Sequence, residues 1–110
     1  MAKFMTIGYG DREGYEQTDQ ATRDAAHDHD AQLRSAGAVM GVAGAPVQVR
    51  NQDGAGVETA SGSFMHSSLP VAGFTLIEAA DLARAVDIAS RMPCAVAHGV
   101  VEVWPFEQTP

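Results

Sequence analysis

The amino-acid sequence predicts one small α+β domain in which two helices cover a single face of an antiparallel sheet. Three observations predict it. Residues 3–9, 71–79 and 100–104 are rich in β-branched and aromatic side chains and are bounded by turn residues. Residues 19–36 and 81–92 carry apolar groups at helical spacing. The 110-residue length suits a single core, so residues 1–110 read as one unit. A hydrophobic content of 45% is normal for a globular protein and argues against a disordered chain, but aromatics are only 6%. Ala, Val and Gly carry much of the apolar count, which makes a thin core that a second subunit would help to cover.

Each element has its own signal. Residues 3–9 form a strand that closes on Gly10-Asp11, and residues 14–18 read as a polar loop. Thr18 or Asp19 caps a helix that runs to Ala36, with Gly37 as its left-handed stop. On it Thr22, Ala25, Ala26, His29, Leu33 and Ala36 share one face, and Asp24, Asp28 and Ala31 lie opposite. Residues 38–50 are extended, with an interruption near Gly44-Ala45-Pro46, and Asp53-Gly54 marks a turn. Residues 57–60 make a weak strand leading into a loop over 61–70, before the strand at 71–79. Asp81 caps a second helix whose Leu82, Ala85, Val86, Ala89 and Met92 line one side, and Pro93 ends it. Residues 100–104 are the last strand, and the tail from 105 frays.

The order β-α-β-β-α-β, with a split central hairpin, is ferredoxin-like. A monomer of this kind needs a polar helix-free face. Here Phe74 and Leu76 oppose Thr75 and Ile77, and Val100 and Trp104 oppose Val101 and Val103, so both faces are apolar. A homodimer with sheet packed on sheet removes that surface from water, at about 25 cal/mol per Å².

Charge narrows the partners. The net charge is −7, from 14 acidic and 7 basic residues, and the basic residues are scattered. That argues against nucleic acid and against anionic membranes. No apolar run approaches the roughly 20 residues of a membrane span, and the N-terminus does not read as a signal peptide. One cysteine excludes an internal disulfide and a thiolate zinc cage, and the cytoplasm is the expected compartment.

The histidines are the main candidates for chemistry, because imidazole titrates near neutrality. His29 faces inward, toward the sheet or a dimer cleft, and is a candidate acid or base; its bland reading is a hydrogen-bonded histidine at the edge of the core. His27 lies off that face among Arg23, Asp24 and Asp30, either as a second acid–base candidate or as a solvated imidazole. His66, with Ser63, Ser67 and Ser68 nearby, lies in a loop suited to line a pocket. No strand–Ser–helix elbow supports a serine nucleophile. His98 reads as a turn residue. The run His27-Asp28-His29-Asp30 cannot converge on one ion, since neighbours one and two apart on a helix diverge, so neither a metal nor another cofactor is expected. Cys94, after Pro93, reads as buried at a helix end and unreactive. A small-molecule pocket would be walled by Met5, Ile7, Phe64, Phe74 and Trp104, with Ser63 and His66 as ligand contacts.

Several blocks resemble a known family. They are Lys3-Phe4-Met5-Thr6-Ile7-Gly8-Tyr9-Gly10-Asp11, Leu33-Arg34-Ser35-Ala36-Gly37, Gly73-Phe74-Thr75-Leu76-Ile77-Glu78-Ala79 before Asp81-Leu82, and Val101-Glu102-Val103. Together they resemble the YCII-related family, and its branch named for an Asp-Gly-Pro-Phe motif. The resemblance implies a dimeric α/β barrel of ferredoxin-like subunits, in a family with some suspected enzymes. The motif itself is degenerate, because Ser61-Gly62-Ser63-Phe64 stands in its place without the carboxylate or the Pro. The family's helix histidine falls at Ala26 when counted from Leu33 and nearer His27 when counted from Pro46. Two functions follow. One is a small-molecule-binding dimer, an enzyme if a pocket histidine acts as acid or base. The other is a non-catalytic dimerisation or regulatory module that has lost its motif carboxylate.

Overall fold

The computed structural model describes residues 1–107. Its elements are β1 (Ala2–Tyr9), α1 (Arg12–Gln17), α2 (Gln20–Ser35), β2 (Val39–Val42), β3 (Val47–Arg50), β4 (Glu58–Ser61), β5 (Val71–Ala79), α3 (Leu82–Ala89), α4 (Pro93–Val96) and β6 (Val100–Phe106). Four strands form an antiparallel sheet in the order β2-β5-β1-β6, while β3 and β4 pair only with each other. Without the β3–β4 hairpin, this is the βαββαβ order of a ferredoxin-like sheet.

Register divides the sheet into two faces. Phe4 pairs with Ile77, Thr6 with Thr75 and Gly8 with Gly73, so these residues share the helix-covered face. Phe4 and Ile77 pack there with Ala79, Ala85, Ile88, Ala89 and Met92 to form the core. Burying an Ile or Phe side chain of this kind stabilises by about 1.5–3 kcal/mol. The buried Thr6 hydroxyl donates to the Met92 sulfur at 3.8 Å. On the opposite face, Met5 pairs with Leu76 and Trp104, and Ile7 with Phe74 and Glu102. Phe74, Val100, Trp104 and Phe106 are each about half exposed on that side. Glu102 accepts the Tyr9 hydroxyl at 2.6 Å, and that bond, with burial and the carboxylate charge, pushes the Tyr9 hydroxyl above its ordinary pKa.

Local chemistry sets the helix ends. Asp11 accepts from the Gly14 N–H at 2.8 Å and starts α1 where the sequence reads as loop. Asp19 stands at the N-cap of α2. Past its end Gly37 adopts φ +105°, with Gly37 N–H on Arg34 O at 3.1 Å and Ala38 N–H on Leu33 O at 3.0 Å. These are the two bonds of a Schellman stop. Asp81 accepts from Arg84 N–H at 2.9 Å and starts α3.

Four expectations need revision. The buried stripe of α3 is Ala85, Ile88, Ala89 and onward to Met92, whereas Leu82 and Val86 are half exposed. The face that packs on Phe4 and Ile77 runs through Ala85, Ile88, Ala89 and Met92, which turns Leu82 and Val86 toward its edges. Pro93 opens α4 rather than only ending a helix, since a first-turn position needs no N–H donor. The last strand reaches Phe106, so residues 105 and 106 are ordered in the sheet; the rest of the tail, 108–110, lies outside the described residues. Finally, the weak strand at 57–60 joins no central sheet but pairs with β3 as an arm, leaving Val47, Val49, Val57, Phe64 and Met65 more than half exposed. The arm helps to raise the radius of gyration to 15.9 Å, against roughly 13 Å for a compact chain of this length. Among the described residues no helix is long and apolar enough to cross a membrane.

Candidate functional site

A cleft of about 350 Å³ opens between α2 and the β2 side of the sheet. Its floor lacks side chains where Gly8 faces Gly73 across β1 and β5. At Gly73 a Cβ would meet the Gly41 carbonyl oxygen at 2.6 Å, so the close approach of β2 to β5 requires glycine. At Gly8 a Cβ would meet the Cys94 sulfur at 3.0 Å. The walls are mainly apolar, with Met40, Met92 and Val101 prominent.

Three charged or titratable side chains of α2 border this cleft: His27, Asp30 and Arg34. Their spacing of three and then four residues places them on one face of the helix. It is a different face from that of Ala26 and His29, which are buried. The His27 Nε2 lies 2.7 Å from the Tyr15 hydroxyl, and the Arg23 guanidinium sits 4.9 Å from the Tyr15 ring centroid. Helix α1 therefore supplies a residue that orients His27. Burial pushes the Asp30 carboxyl above its ordinary range, against the downward pull of His29, His27 and Arg34. Burial also raises the Cys94 thiol, and the Asp30 charge adds to the effect. Cys94 sits in the first turn of α4, not at a helix C-terminus as its place in the sequence suggested. Desolvation outweighs any favourable dipole of this four-residue helix and so disfavours the thiolate, the nucleophilic form.

The other expected site residues lie elsewhere. His29 is 9% exposed, and its Nε2 is 2.9 Å from the Ile88 carbonyl oxygen. A carbonyl can only accept, so Nε2 carries the proton and ties α2 to the end of α3. Phe74 borders the cleft, but its ring belongs to the helix-free side of the sheet, as do Met5, Ile7 and Trp104. Ser63, Phe64 and His66 are exposed around the end of the arm, with Ser63 donating to the Met65 carbonyl at 2.8 Å and Arg50 lying 5.7 Å from the Phe64 ring. His98 occupies a left-handed turn at φ 63°. The expected wall of Met5, Ile7, Phe64, Phe74 and Trp104 therefore does not enclose one pocket within a single chain. Sequence reasoning passed over Asp30, Arg34 and the Gly8–Gly73 floor as site residues. The spacing of His27, Asp30 and Arg34 was the available signal. Among the described residues, no group of three or more His, Cys, Asp or Glu side chains is placed to hold a metal ion.

The family model of the YCII-related domain matches residues 2–107. The chain belongs to the YCII-related family. No curated protein matches it. The match spans the sheet, the helices around the cleft and the β3–β4 arm, so this YCII-related chain carries both the candidate site and the arm within the family's own domain.

Proposed function

We propose that this YCII-related protein is a homodimer that binds a small organic molecule between α2 and the sheet, with His27 and Asp30 as an acid–base pair. The observation that carries the reading is the meeting of His27 and a half-buried carboxyl with raised pKa on an apolar cleft floored by glycine. A carboxyl whose pKa burial raises can act as the acid, and the adjacent imidazole, oriented by Tyr15, can take a proton. Cleft and chemistry are thus suited to proton transfer on a bound molecule.

The dimer reading rests on the helix-free face. Phe74, Trp104 and Phe106 are 46%, 52% and 55% exposed, and Val39 and Val100 flank them. The three rings alone present roughly 300 Å² to water, by the usual 150–250 Å² per aromatic side chain. A second sheet would cover that surface, giving the dimeric α/β barrel. A stable interface needs roughly 800 Å² per partner, and the exposed Val47, Val49, Phe64 and Met65 of the arm add to what a second copy can bury.

One observation favours the second reading, a non-catalytic module. Ser61, which the resemblance to the Asp-Gly-Pro-Phe branch would put in place of a motif carboxylate, lies on the arm and lines no part of the cleft. A fragment screen followed by amide chemical shifts separates the two. Binding that moves the Gly8, Gly41 and Gly73 amides and weakens at least tenfold in both His27→Ala and Asp30→Ala supports the acid–base cleft. Binding only elsewhere, or unchanged in both variants, rejects it.

A further inference from the structure

We infer that the cleft selects a small organic acid, an apolar body with one carboxylate, and that Arg34 holds the carboxylate. The inference rests on the cleft being the binding site and adds the class of ligand.

The first observation is a comparison among the arginines. Arg12 pairs with Glu16 at 3.4 Å, and Arg84 and Arg91 both pair with Asp87. Arg23 donates to Gln20 and lies over Tyr15, and Arg50 donates to Gln48 and lies near Phe64. Among the described residues Arg34 alone of the six has no hydrogen bond, ion pair or aromatic partner, although it borders the cleft. Arg34 is exposed and attracts the Asp30 carboxylate one turn before it, but it makes no direct bond to that group, so its donors are open to a ligand. Its place in the last turn of α2 gives a simpler role, offsetting the negative end of the helix. However, the Arg34 and Leu33 carbonyls of that turn are already taken by the Gly37 and Ala38 amides, so the guanidinium is not needed as a cap.

The second observation is the rest of the lining. Met40, Met92, Pro93 and Val101 offer contact to hydrocarbon. The volume of about 350 Å³ lies at the small end of ligand pockets, which run from roughly 300 to 1,000 Å³. That suits a short aliphatic or arylacetic acid. A guanidinium grips a carboxylate through two parallel hydrogen bonds. Asp30 borders the same cleft, and its carboxyl, whose pKa burial raises, can donate a hydrogen bond to a bound carboxylate when it holds its proton. His27 beside it, when protonated, adds attraction. A phosphate monoester fits less well. The cleft has one guanidinium and no lysine, and no helix N-terminus of useful length frames it to spread a second negative charge.

The test uses the full chain and four probes: phenylacetate, phenylacetamide, hexanoate and hexyl phosphate, each titrated while the Gly8, Gly41 and Gly73 amides are followed by NMR. Phenylacetate and hexanoate are expected to shift those amides, with phenylacetamide at least tenfold weaker. Arg34→Gln is expected to weaken the acids at least tenfold, Arg34→Lys to restore part of the loss, and Arg84→Gln, away from the cleft, to change nothing. Equal binding of phenylacetamide, or full binding by Arg34→Gln, overturns the acid preference while leaving the cleft as a site. Tighter binding of hexyl phosphate than of hexanoate overturns the choice of carboxylate. Failure of all four probes to move these amides overturns the cleft reading and this inference with it.

Discussion

Replacing His29 by alanine separates a structural histidine from a chemical one. The ring is 9% exposed, and its Nε2–H donates to Ile88 O at 2.9 Å. That carbonyl also accepts from the Arg91 N–H at 3.3 Å, so losing the imidazole does not strand a buried acceptor. The cost is then the net worth of one hydrogen bond, about 1 kcal/mol, not the larger penalty of an orphaned group. Losing the ring's packing at the seam of α2 and α3 adds about 1–2 kcal/mol. The total, about 2–3 kcal/mol, corresponds to a fall in melting temperature of about 10–15 °C for a domain near this size. His29→Leu, which keeps much of the apolar volume, is expected to lose about half as much. Urea unfolding followed by circular dichroism gives the stability, and probe titration of the folded variant gives cleft binding, expected to stay within twofold of the parent. A variant with an unchanged unfolding midpoint but abolished cleft binding would refute this account and return His29 to the site.

Three further outcomes are expected. In the native state burial raises the Asp30 carboxyl above the 3.8 of an ordinary aspartate, so the folded chain keeps a proton that the unfolded chain has released. Stability from this group therefore falls as pH climbs from the unfolded value through the native one, and it stays lower above that window. Asp30→Asn should raise the melting temperature at pH 7, with the gain vanishing near pH 3; the same variant should speed iodoacetamide alkylation of Cys94 by removing a charge that raises its thiol. Trp104→Glu, on the half-exposed helix-free face, should turn a dimer into a folded monomer in analytical ultracentrifugation, and a parent that is already monomeric rejects the sheet-on-sheet dimer. Gly73→Ala forces a Cβ against the backbone oxygen of Gly41, which cannot rotate away, and should cost about 2 kcal/mol or more in chemical unfolding, whereas a cost below about 0.5 kcal/mol would show that β2 yields freely.

Much of the fold was legible in the sequence because its signals are local. Asp81, the run 71–79, and Gly37 after the periodic run of α2 each act through neighbours within a few residues, and each took its expected role. Alternation along β5 and β6 likewise separates Phe74 from Thr75, and Val100 and Trp104 from Val101 and Val103; the register then shows which set lies on the face without helices. The site was less legible. His27 was noticed for its chemistry, but its hydrogen bond to Tyr15 depends on α1, a short helix in a stretch whose composition reads as loop. Asp30 reads in the sequence only as a neighbour of His27, and nothing around it says that its charge reaches Cys94, 64 positions away.

The sequence by itself determined the outer strands, the starts of α2 and α3, the stop at Gly37 and the two-faced sheet, since periodicity and capping are properties of short segments. Only the tertiary structure decided which α2 face borders a cleft, that His29 is tied to Ile88, and that residues 47–61 leave the sheet as an arm. Those outcomes depend on strand register and on the packing of distant segments. Gly8 opposite Gly73 makes a floor only once β1 and β5 are aligned, and burial raises Asp30 only once the sheet and α4 stand beside α2.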